Sequence, residues 1–309
     1  MPEDRHHSLA PAQRRVRAAL WCAGLCILGL AATWGIAAHL PAARLRDAAA
    51  LRGFIGLDHP IVTALANDVL SLVSPMSATV FALVAMAVAV RRGRSRLAVA
   101  IPVVLGGAVG SAELLKPLLA VPHDYIDATH QLSAASWPSG HSTAVMSMTL
   151  CALLVAPSRW RPAVAAIGGV FTVAVGFSLL TLAWHMPSDV IGGYLMAGVW
   201  VSAAVAVLSR AEAAEPADAA RPEPSARPRR APLQRREWRA RQPSLLGGEA
   251  LVPGVVIGSV LGAALVIVAM RPHQVAGFAD THHSFVAVAT VIAALATTLV
   301  SGFTVGLRR

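Results

Sequence analysis

Charged residues are scarce in this chain of 309 residues, since Asp, Glu, Lys and Arg together account for only 14% of it. Hydrophobic residues account for 56%, a balance that excludes an ordinary soluble domain and favours a protein with several membrane spans. Aromatic residues are also few, at 5%, and no basic cluster interleaves them in the pattern of single-strand nucleic-acid binding. We therefore expect no nucleic-acid partner, despite the net charge of +10.

Cysteine is nearly absent, with Cys22, Cys26 and Cys151 as the three examples, all inside apolar runs. Cys22 and Cys26 are one helical turn apart, a spacing that also occurs in metal pairs. Because no other ligand type lies near them in the sequence, we interpret them as small core or lipid-facing residues and predict no disulfide.

Apolar runs of about 20 residues, the length needed to cross a bilayer, recur along the chain. We predict eight spans, at about 18–40, 62–90, 97–115, 140–156, 163–183, 190–208, 252–270 and 284–306. The predicted fold class is therefore all-α, a polytopic transmembrane helical bundle. Between the first two spans, the external loop 41–60 is predicted to contain a short amphipathic helix at the membrane interface.

The basic residues are distributed unevenly between the two sides of this topology. With the N-terminus inside, the inside segments hold 21 basic residues and the outside segments hold five. Without the long segment 210–247, whose charges weigh less in the positive-inside rule, the ratio is still 12 to five. The pattern predicts that both termini are cytoplasmic.

This topology divides the chain into four predicted parts. They are a cytoplasmic tail at 1–17, a six-span membrane domain at 18–209, a disordered Arg/Pro-rich cytoplasmic linker at 210–247 and a two-span hairpin at 248–309. The linker has too little apolar surface to bury a core, and its basic half suits anionic lipid headgroups. The hairpin connection contains His273, Asp280, His282 and His283, and we interpret it as a solvated loop.

The sequence Trp-Pro-Ser-Gly-His at 137–141 opens the fourth apolar run. A Ser-Gly pair at a helix start leaves backbone N–H groups free to bind an anion, and Ser139 can donate its hydroxyl to the same anion. Gly140 has no side chain to keep a phosphate oxygen away from the backbone. His141 then lies in the first helical turn as a candidate proton donor. The same residues are also typical of an ordinary turn with an N-cap and a structural histidine.

A second polar segment, 184–189, follows the fifth apolar run and contains His185 and Asp189. The four-residue spacing lets the carboxylate accept the imidazole N–H, which orients the ring and leaves its other nitrogen free for nucleophilic attack. The predicted topology places both polar segments on the extracytoplasmic face. Lys116, the one lysine among 26 basic residues, ends the third span on that face, three residues after a possible partner, Glu113.

These residues resemble the signature of the type-2 phosphatidic-acid phosphatase superfamily over roughly residues 60–210. The signature positions are Lys116, the run 138–141, and Ser178, His185 and Asp189. The resemblance implies a six-helix phosphatase-like core in which His185 attacks phosphorus, His141 protonates the leaving group and Asp189 orients His185. The phosphate-binding residues that it implies are Lys116, Ser139 and Gly140.

The chain departs from the family pattern at two arginine positions. His123 stands seven residues after Lys116, and Leu179 stands six residues before His185, where the family has arginine. A protonated His123 can serve as a phosphate ligand, whereas leucine supplies no guanidinium. The sequence therefore leaves two functions open. One is an integral-membrane lipid phosphatase, and the alternative is a catalytically weak or inactive relative that binds a phosphorylated lipid or a membrane-protein partner.

We expect a lipid phosphate or diphosphate as substrate, at a site on the extracytoplasmic face of the plasma membrane. Polyprenyl diphosphate is our first choice, with phosphatidic acid and phosphatidylglycerol phosphate left open, as is the oligomeric state. We expect no cofactor and no metal, because the spacing of the external-loop residues His123, Asp124, Asp127 and His130 matches no standard metal site. A transporter is a third possibility, although the sequence shows no intramembrane charge track.

Overall fold

The computed structural model describes residues 4–57, 59–120, 132–214 and 272–306. Within these ranges the chain forms α-helices and no strand, which confirms the predicted all-α class. The helices are α1 (Asp4–His39), α2 (Pro41–Ile55), α3 (Pro60–Ser71), α4 (Pro75–Arg91), α5 (Ser95–Leu118), α6 (Gly140–Val155), α7 (Arg161–Thr181), α8 (Pro187–Ala214), α9 (Pro272–Thr281) and α10 (His283–Gly306).

Five helices of the described residues are long and apolar enough to cross a membrane, namely α1, α5, α7, α8 and α10. The pair α3 and α4 meets the same criterion together, and α6 is apolar but shorter. The predicted span at 252–270 lies outside the described residues, as do residues 215–247 of the predicted linker. The helices support a polytopic membrane bundle, and the number of eight spans stays a prediction.

The predicted second span, 62–90, is not one straight helix, because α3 and α4 meet at an angle of 46°. Ser74 caps α4 by accepting a hydrogen bond from the Ser77 amide (3.2 Å). Pro75 occupies the first turn of α4, where its missing N–H costs nothing. The serine cap and this proline together mark the start of a new helix at the bend.

The predictions for two of the segments between spans also need correction. The connection before the last span is not a simple solvated loop, since α9 occupies most of it. The helix at 41–55 is present as predicted, but it does not merely lie at the interface. Leu51 and Phe54 of α2 are fully buried, and the Phe54 ring packs against Phe285 of α10 with ring centroids 4.6 Å apart.

Helix α6 lies at the centre of the bundle, with thirteen of its sixteen residues buried. It packs against α4, α5, α7, α8 and α10. Its many small residues, among them Ser142, Ala144 and Ser147, allow neighbouring helices to approach closely without a bulky side chain between them. The two ends of α6 are therefore surrounded by the ends of its neighbours.

Arginine side chains gather at the C-terminal end of α6. Arg92 donates a hydrogen bond to the carbonyl oxygen of Val155, and Arg94 Nη1 donates to that of Leu154 (2.6 Å). These carbonyls have no partner within the helix, and the guanidinium charges also complement the negative end of its dipole. The N-terminal end of α6, with Ser139 and Gly140, lies at the opposite end of the helix, about 24 Å away.

Candidate active site

Ser139 is the N-cap of α6 and is fully buried. Its Oγ accepts a hydrogen bond from the Ser142 amide (3.3 Å), and its carbonyl oxygen accepts one from Thr143 Oγ1 (2.8 Å). This is the N-cap expected from the sequence, in which a serine hydroxyl satisfies one of the free amides of the first turn. The helix thus begins at Gly140, as the Ser-Gly pair indicated.

The start of α6 lies directly against the start of α8. The Ser139 amide donates a hydrogen bond to the carbonyl oxygen of Asp189 (3.0 Å). Gly193 makes this approach possible, because a Cβ atom on it would lie 2.7 Å from the Ser139 carbonyl oxygen and 2.9 Å from the Thr143 amide nitrogen. The structure therefore brings the two polar segments of the sequence together at one end of the bundle.

Helix α7 ends in a turn that directs the chain towards this point. The Trp184 amide donates to the Leu179 carbonyl (2.9 Å) and the Ala183 amide to the Leu180 carbonyl (3.0 Å), the two bonds of a Schellman motif. Ala183 adopts a left-handed conformation with φ of 54°, which glycine usually occupies at this position. The turn places His185 immediately before the first turn of α8.

His185 and Asp189 form the predicted pair. The His185 Nδ1 and Asp189 Oδ2 atoms are 3.2 Å apart, and the same oxygen accepts a hydrogen bond from the Met186 amide (2.9 Å). Asp189 is 1% exposed and His185 is 9% exposed. With Nδ1–H donated to the carboxylate, His185 keeps the lone pair on Nε2, the form required of an imidazole nucleophile.

His141 lies in the first turn of α6, partly exposed, with its ring centroid 6.0 Å from that of Trp184. It is close enough to His185, Lys116 and Glu113 for their charges to act on its imidazole. Residues from α5, α6 and the segment before α8 thus converge on the same end of the bundle, as the predicted topology required.

Lys116 reaches the beginning of α6 but is already paired. Its Nζ lies 2.6 Å from Glu113 Oε1, which confirms the predicted ion pair along α5. A Cβ atom on Gly140 would lie 3.7 Å from Lys116 Nζ and 2.6 Å from Glu113 Oε1. Gly140 therefore leaves room for this ion pair beside the free amides of α6. The sequence indicated the pair along α5 but not its contact with the start of α6.

Leu179 and His123 stand where the family pattern has arginine, and the structure describes one of the two. Leu179 is fully buried and brings no charge to the site. His123 lies outside the described residues, as do the other loop residues of the metal alternative, Asp124, Asp127 and His130. Among the described residues, no group of three or more His, Cys, Asp or Glu side chains is arranged to hold a metal ion.

A further contact at the site was not anticipated from the sequence. Ser188, between Pro187 and Asp189, donates its hydroxyl to Asp47 Oδ2 of α2 (2.6 Å). Asp47 lies 141 positions earlier in the chain, in a helix that the sequence placed at the membrane interface. Nothing in its local sequence marks it as part of the site, since an isolated acid in a short helix is usually solvated.

Comparison with known proteins agrees with the motifs. The sequence model of the PAP2 superfamily matches residues 97–212, a region that contains Lys116, His141, His185 and Asp189. The structure is similar to the crystal structure of the first transmembrane PAP2-type phosphatidylglycerolphosphate phosphatase from Bacillus subtilis, with a TM-score of 0.53 and 21% identity. That similarity covers 62% of this chain and 97% of the other, and at this identity it shows a common fold. No curated protein matches this chain. The resemblance seen in the motifs is confirmed over residues 97–212, the region that the PAP2 superfamily model matches.

Proposed function

We propose that this protein is an integral-membrane lipid phosphate phosphatase that forms a phosphohistidine at His185. The observation that carries the proposal is the His185–Asp189 pair, joined to the start of α6 by the hydrogen bond from Ser139 to the Asp189 carbonyl. An oriented imidazole beside a helix N-terminus combines a nucleophile with an anion-binding site.

In the first step, His185 Nε2 attacks phosphorus while the P–O bond to the leaving group breaks. The leaving oxygen takes a proton from protonated His141. The phosphorylated imidazole carries a positive charge, which the Asp189 carboxylate stabilises through Nδ1–H. The backbone amides at the start of α6, the Ser139 hydroxyl and Lys116 are the proposed donors to the phosphoryl oxygens.

In the second step, a water molecule attacks the phosphohistidine and the P–N bond breaks. His141, now neutral, takes the proton from this water, and inorganic phosphate is released. Both histidines then return to their starting protonation states. For Lys116 to bind phosphate, its ammonium has to be shared with or released by Glu113, so substrate binding is expected to rearrange this ion pair. His123 is a proposed additional phosphate ligand.

The expected substrate is a lipid phosphate or diphosphate whose tail remains in the bilayer beside the apolar bundle. Polyprenyl diphosphate is the first candidate, because the positive-inside distribution supports an extracytoplasmic site in the plasma membrane. Phosphatidylglycerol phosphate, the class named for the similar Bacillus subtilis phosphatase, and phosphatidic acid are the other candidates.

A second function is favoured by two specific observations, the burial of Leu179 and the pairing of Lys116 with Glu113. Both reduce the positive charge available to a phosphoryl group. A catalytically weak or inactive relative that binds a phosphorylated lipid would need the anion site at the start of α6 but not the nucleophile.

Phosphate release distinguishes these functions. The purified protein in detergent is incubated with polyprenyl diphosphates, phosphatidic acid and phosphatidylglycerol phosphate, beside His185→Ala. We expect release with at least one lipid and a loss of about 10³-fold or more in the variant, because the variant lacks the proposed nucleophile. His283→Ala, which changes an exposed histidine at the start of α10, is the matched control. Lipid binding without release above the His185→Ala level would support the second function.

A further inference from the structure

Asp47 of α2 accepts two hydrogen bonds from Ser188, in the segment 184–189 that contains His185 and Asp189. Ser188 Oγ donates to Asp47 Oδ2 at 2.6 Å, and the Ser188 amide donates to the same oxygen at 3.4 Å. Ser188 is the second residue of α8 and lies directly between Pro187 and Asp189. A carboxylate from a distant helix thus contacts the backbone beside the residue that orients His185.

Asp47 supplies an acceptor for the first turn of α8, where Asp189 is already engaged. The first amides of a helix have no partner within it, and an acidic residue in the first turn commonly helps to satisfy them. In α8 the acidic residue of the first turn is Asp189, but its Oδ2 is used by His185 Nδ1 and by the Met186 amide, which precedes the helix. Asp47 supplies the carboxylate for Ser188 and keeps the Ser188 hydroxyl engaged away from Asp189.

Packing against α7 and α10 holds α2 in place. A Cβ atom on Gly53 would lie 2.5 Å from Phe285 Cβ, so α2 and α10 are in close contact. The Phe54 ring lies between Phe177 of α7, at 5.3 Å, and Phe285, at 4.6 Å. Asp47 is therefore attached to a packed helix and not to a mobile loop.

The contact is electrostatically unfavourable for Asp47. The pKa of its carboxyl is raised to about 7, chiefly by burial and also by the nearby Asp189 charge, while the hydrogen bonds from Ser188 oppose the shift. A second carboxyl beside Asp189 costs folding free energy, and groups placed at such a cost are frequent at functional sites.

We infer that Asp47 is a positioning residue of the proposed phosphohistidine site: through Ser188 it holds the start of α8, and so the Asp189 carboxylate that orients His185. The inference rests on the proposed function for its kinetic consequence. The orientation of the His185–Asp189 pair is a property of the protein without substrate, and it can be measured separately.

The kinetic test compares Asp47→Ala, Asp47→Asn and Ser188→Ala with the unchanged protein. We expect Asp47→Ala and Ser188→Ala to lower kcat by about 10–100-fold, by analogy with the loss of groups that orient metal ligands, with KM changed by less than about threefold. Asp47→Asn retains an oxygen that can accept from Ser188, so it is expected to keep kcat within about threefold of the unchanged protein. Asp68→Ala removes an exposed aspartate of α3 and is the matched control.

The second readout needs no turnover. Diethylpyrocarbonate modifies accessible neutral imidazoles, and mass spectrometry of the His185 peptide gives the rate at this residue. His185 is almost fully buried and held by Asp189, so its modification is expected to be slow in the unchanged protein. We expect a rise of about fivefold or more in Asp47→Ala and Ser188→Ala, and no rise in Asp47→Asn or Asp68→Ala, since these two keep the contact.

Together, kcat and the rate of His185 modification distinguish a failure of the proposed function from a failure of the positioning role of Asp47. If the unchanged protein releases phosphate from no lipid while the modification pattern is as expected, the proposed function fails and the positioning role of Asp47 stands. If Asp47→Ala retains both the kcat and the slow His185 modification of the unchanged protein, the inference is overturned. Should Asp47→Ala fail to fold, Ser188→Ala decides in the same way, because it removes the same contact from the other side.

Discussion

At the scale of single residues, the proposed chemistry depends on two histidines. Their different surroundings suit different roles. His185 is almost fully buried and hydrogen-bonded to the Asp189 carboxylate, which suits a nucleophile that must hold one orientation. His141 has no comparable partner in the described hydrogen bonds and lies partly exposed beside Trp184. It is therefore free to give a proton to a leaving group and to take one from water.

This division of tasks predicts a dependence on the leaving group. A lipid monophosphate must expel an alkoxide, which needs a proton, whereas the diphosphate of the same lipid expels a stable phosphate anion. We expect His141→Ala to lower kcat/KM by about 10²–10⁴-fold on the monophosphate but by about tenfold or less on the diphosphate.

The measurement is steady-state phosphate release on both substrates. The ratio kcat/KM is the appropriate quantity, because it reports the steps up to phosphoryl transfer and excludes the later attack of water. His185→Ala is the comparison, since loss of the nucleophile has to affect both substrates severely. An equal loss on the two substrates in His141→Ala would rule out its role as general acid.

The proposed site depends, at the scale of helices, on how closely α6 and α8 approach. Their first turns meet where Gly193 faces the backbone of Ser139 and Thr143, and the Ser139–Asp189 hydrogen bond crosses this contact. The atoms facing Gly193 are mostly backbone and cannot move aside as the end of a flexible side chain can. At Gly140, by contrast, the nearest atom is the carboxylate of Glu113, which can move.

Gly193→Ala is therefore expected to force the two helices apart. We expect a loss of about 1–3 kcal/mol in the free energy of unfolding, typical of overpacking, together with a loss of activity of about tenfold or more. Gly110→Ala is the matched control, because a Cβ atom there meets no atom within 4 Å and an alanine suits a helix interior better than glycine.

Both variants are compared by thermal unfolding in detergent and by phosphate release. The expected result is a lower melting temperature for Gly193→Ala and an unchanged or higher one for Gly110→Ala. Equal melting temperatures and activities in the two variants would show that the α6–α8 contact is not tight enough to matter.

The whole molecule has two chemically different ends. Arg92 and Arg94 bind the C-terminal carbonyls of α6 at one end, and Arg96 donates to the Ala211 carbonyl near the end of α8 (3.2 Å). The proposed catalytic residues lie at the other end of the same helices. Because arginine-rich ends usually face the cytoplasm, this arrangement supports a site on the extracytoplasmic face.

Single cysteines test this orientation in intact cells, with Cys22, Cys26 and Cys151 replaced by alanine. Ala134 is exposed just before the turn at 137–141, and Arg159 is exposed in the short turn before α7, so each is replaced by cysteine in turn. We expect a membrane-impermeant maleimide to label the cysteine at 134 in intact cells and the cysteine at 159 only after permeabilisation. Labelling in the reverse order would place the site on the cytoplasmic face.

Much of the site could be predicted from the sequence because its geometry is local. The Ser139 cap, the Glu113–Lys116 pair and the His185–Asp189 pair all join residues three or four positions apart, and a helical turn or the turn that opens a helix brings such residues together. The proline that starts α4 was also a local signal, here for the start of a new helix. It lies within the apolar run 62–90, which was predicted as a single span.

The contacts that only the tertiary structure decided join distant parts of the chain. Ser188 meets Asp47, Gly193 meets the first turn of α6, and α2 is held against α10, because helices pack wherever their shapes allow close approach. The apolar spans determined the class of protein, because burying polar groups in lipid is costly, and the charged loops predict its orientation. They did not determine which helices touch, since one apolar face looks much like another in the sequence.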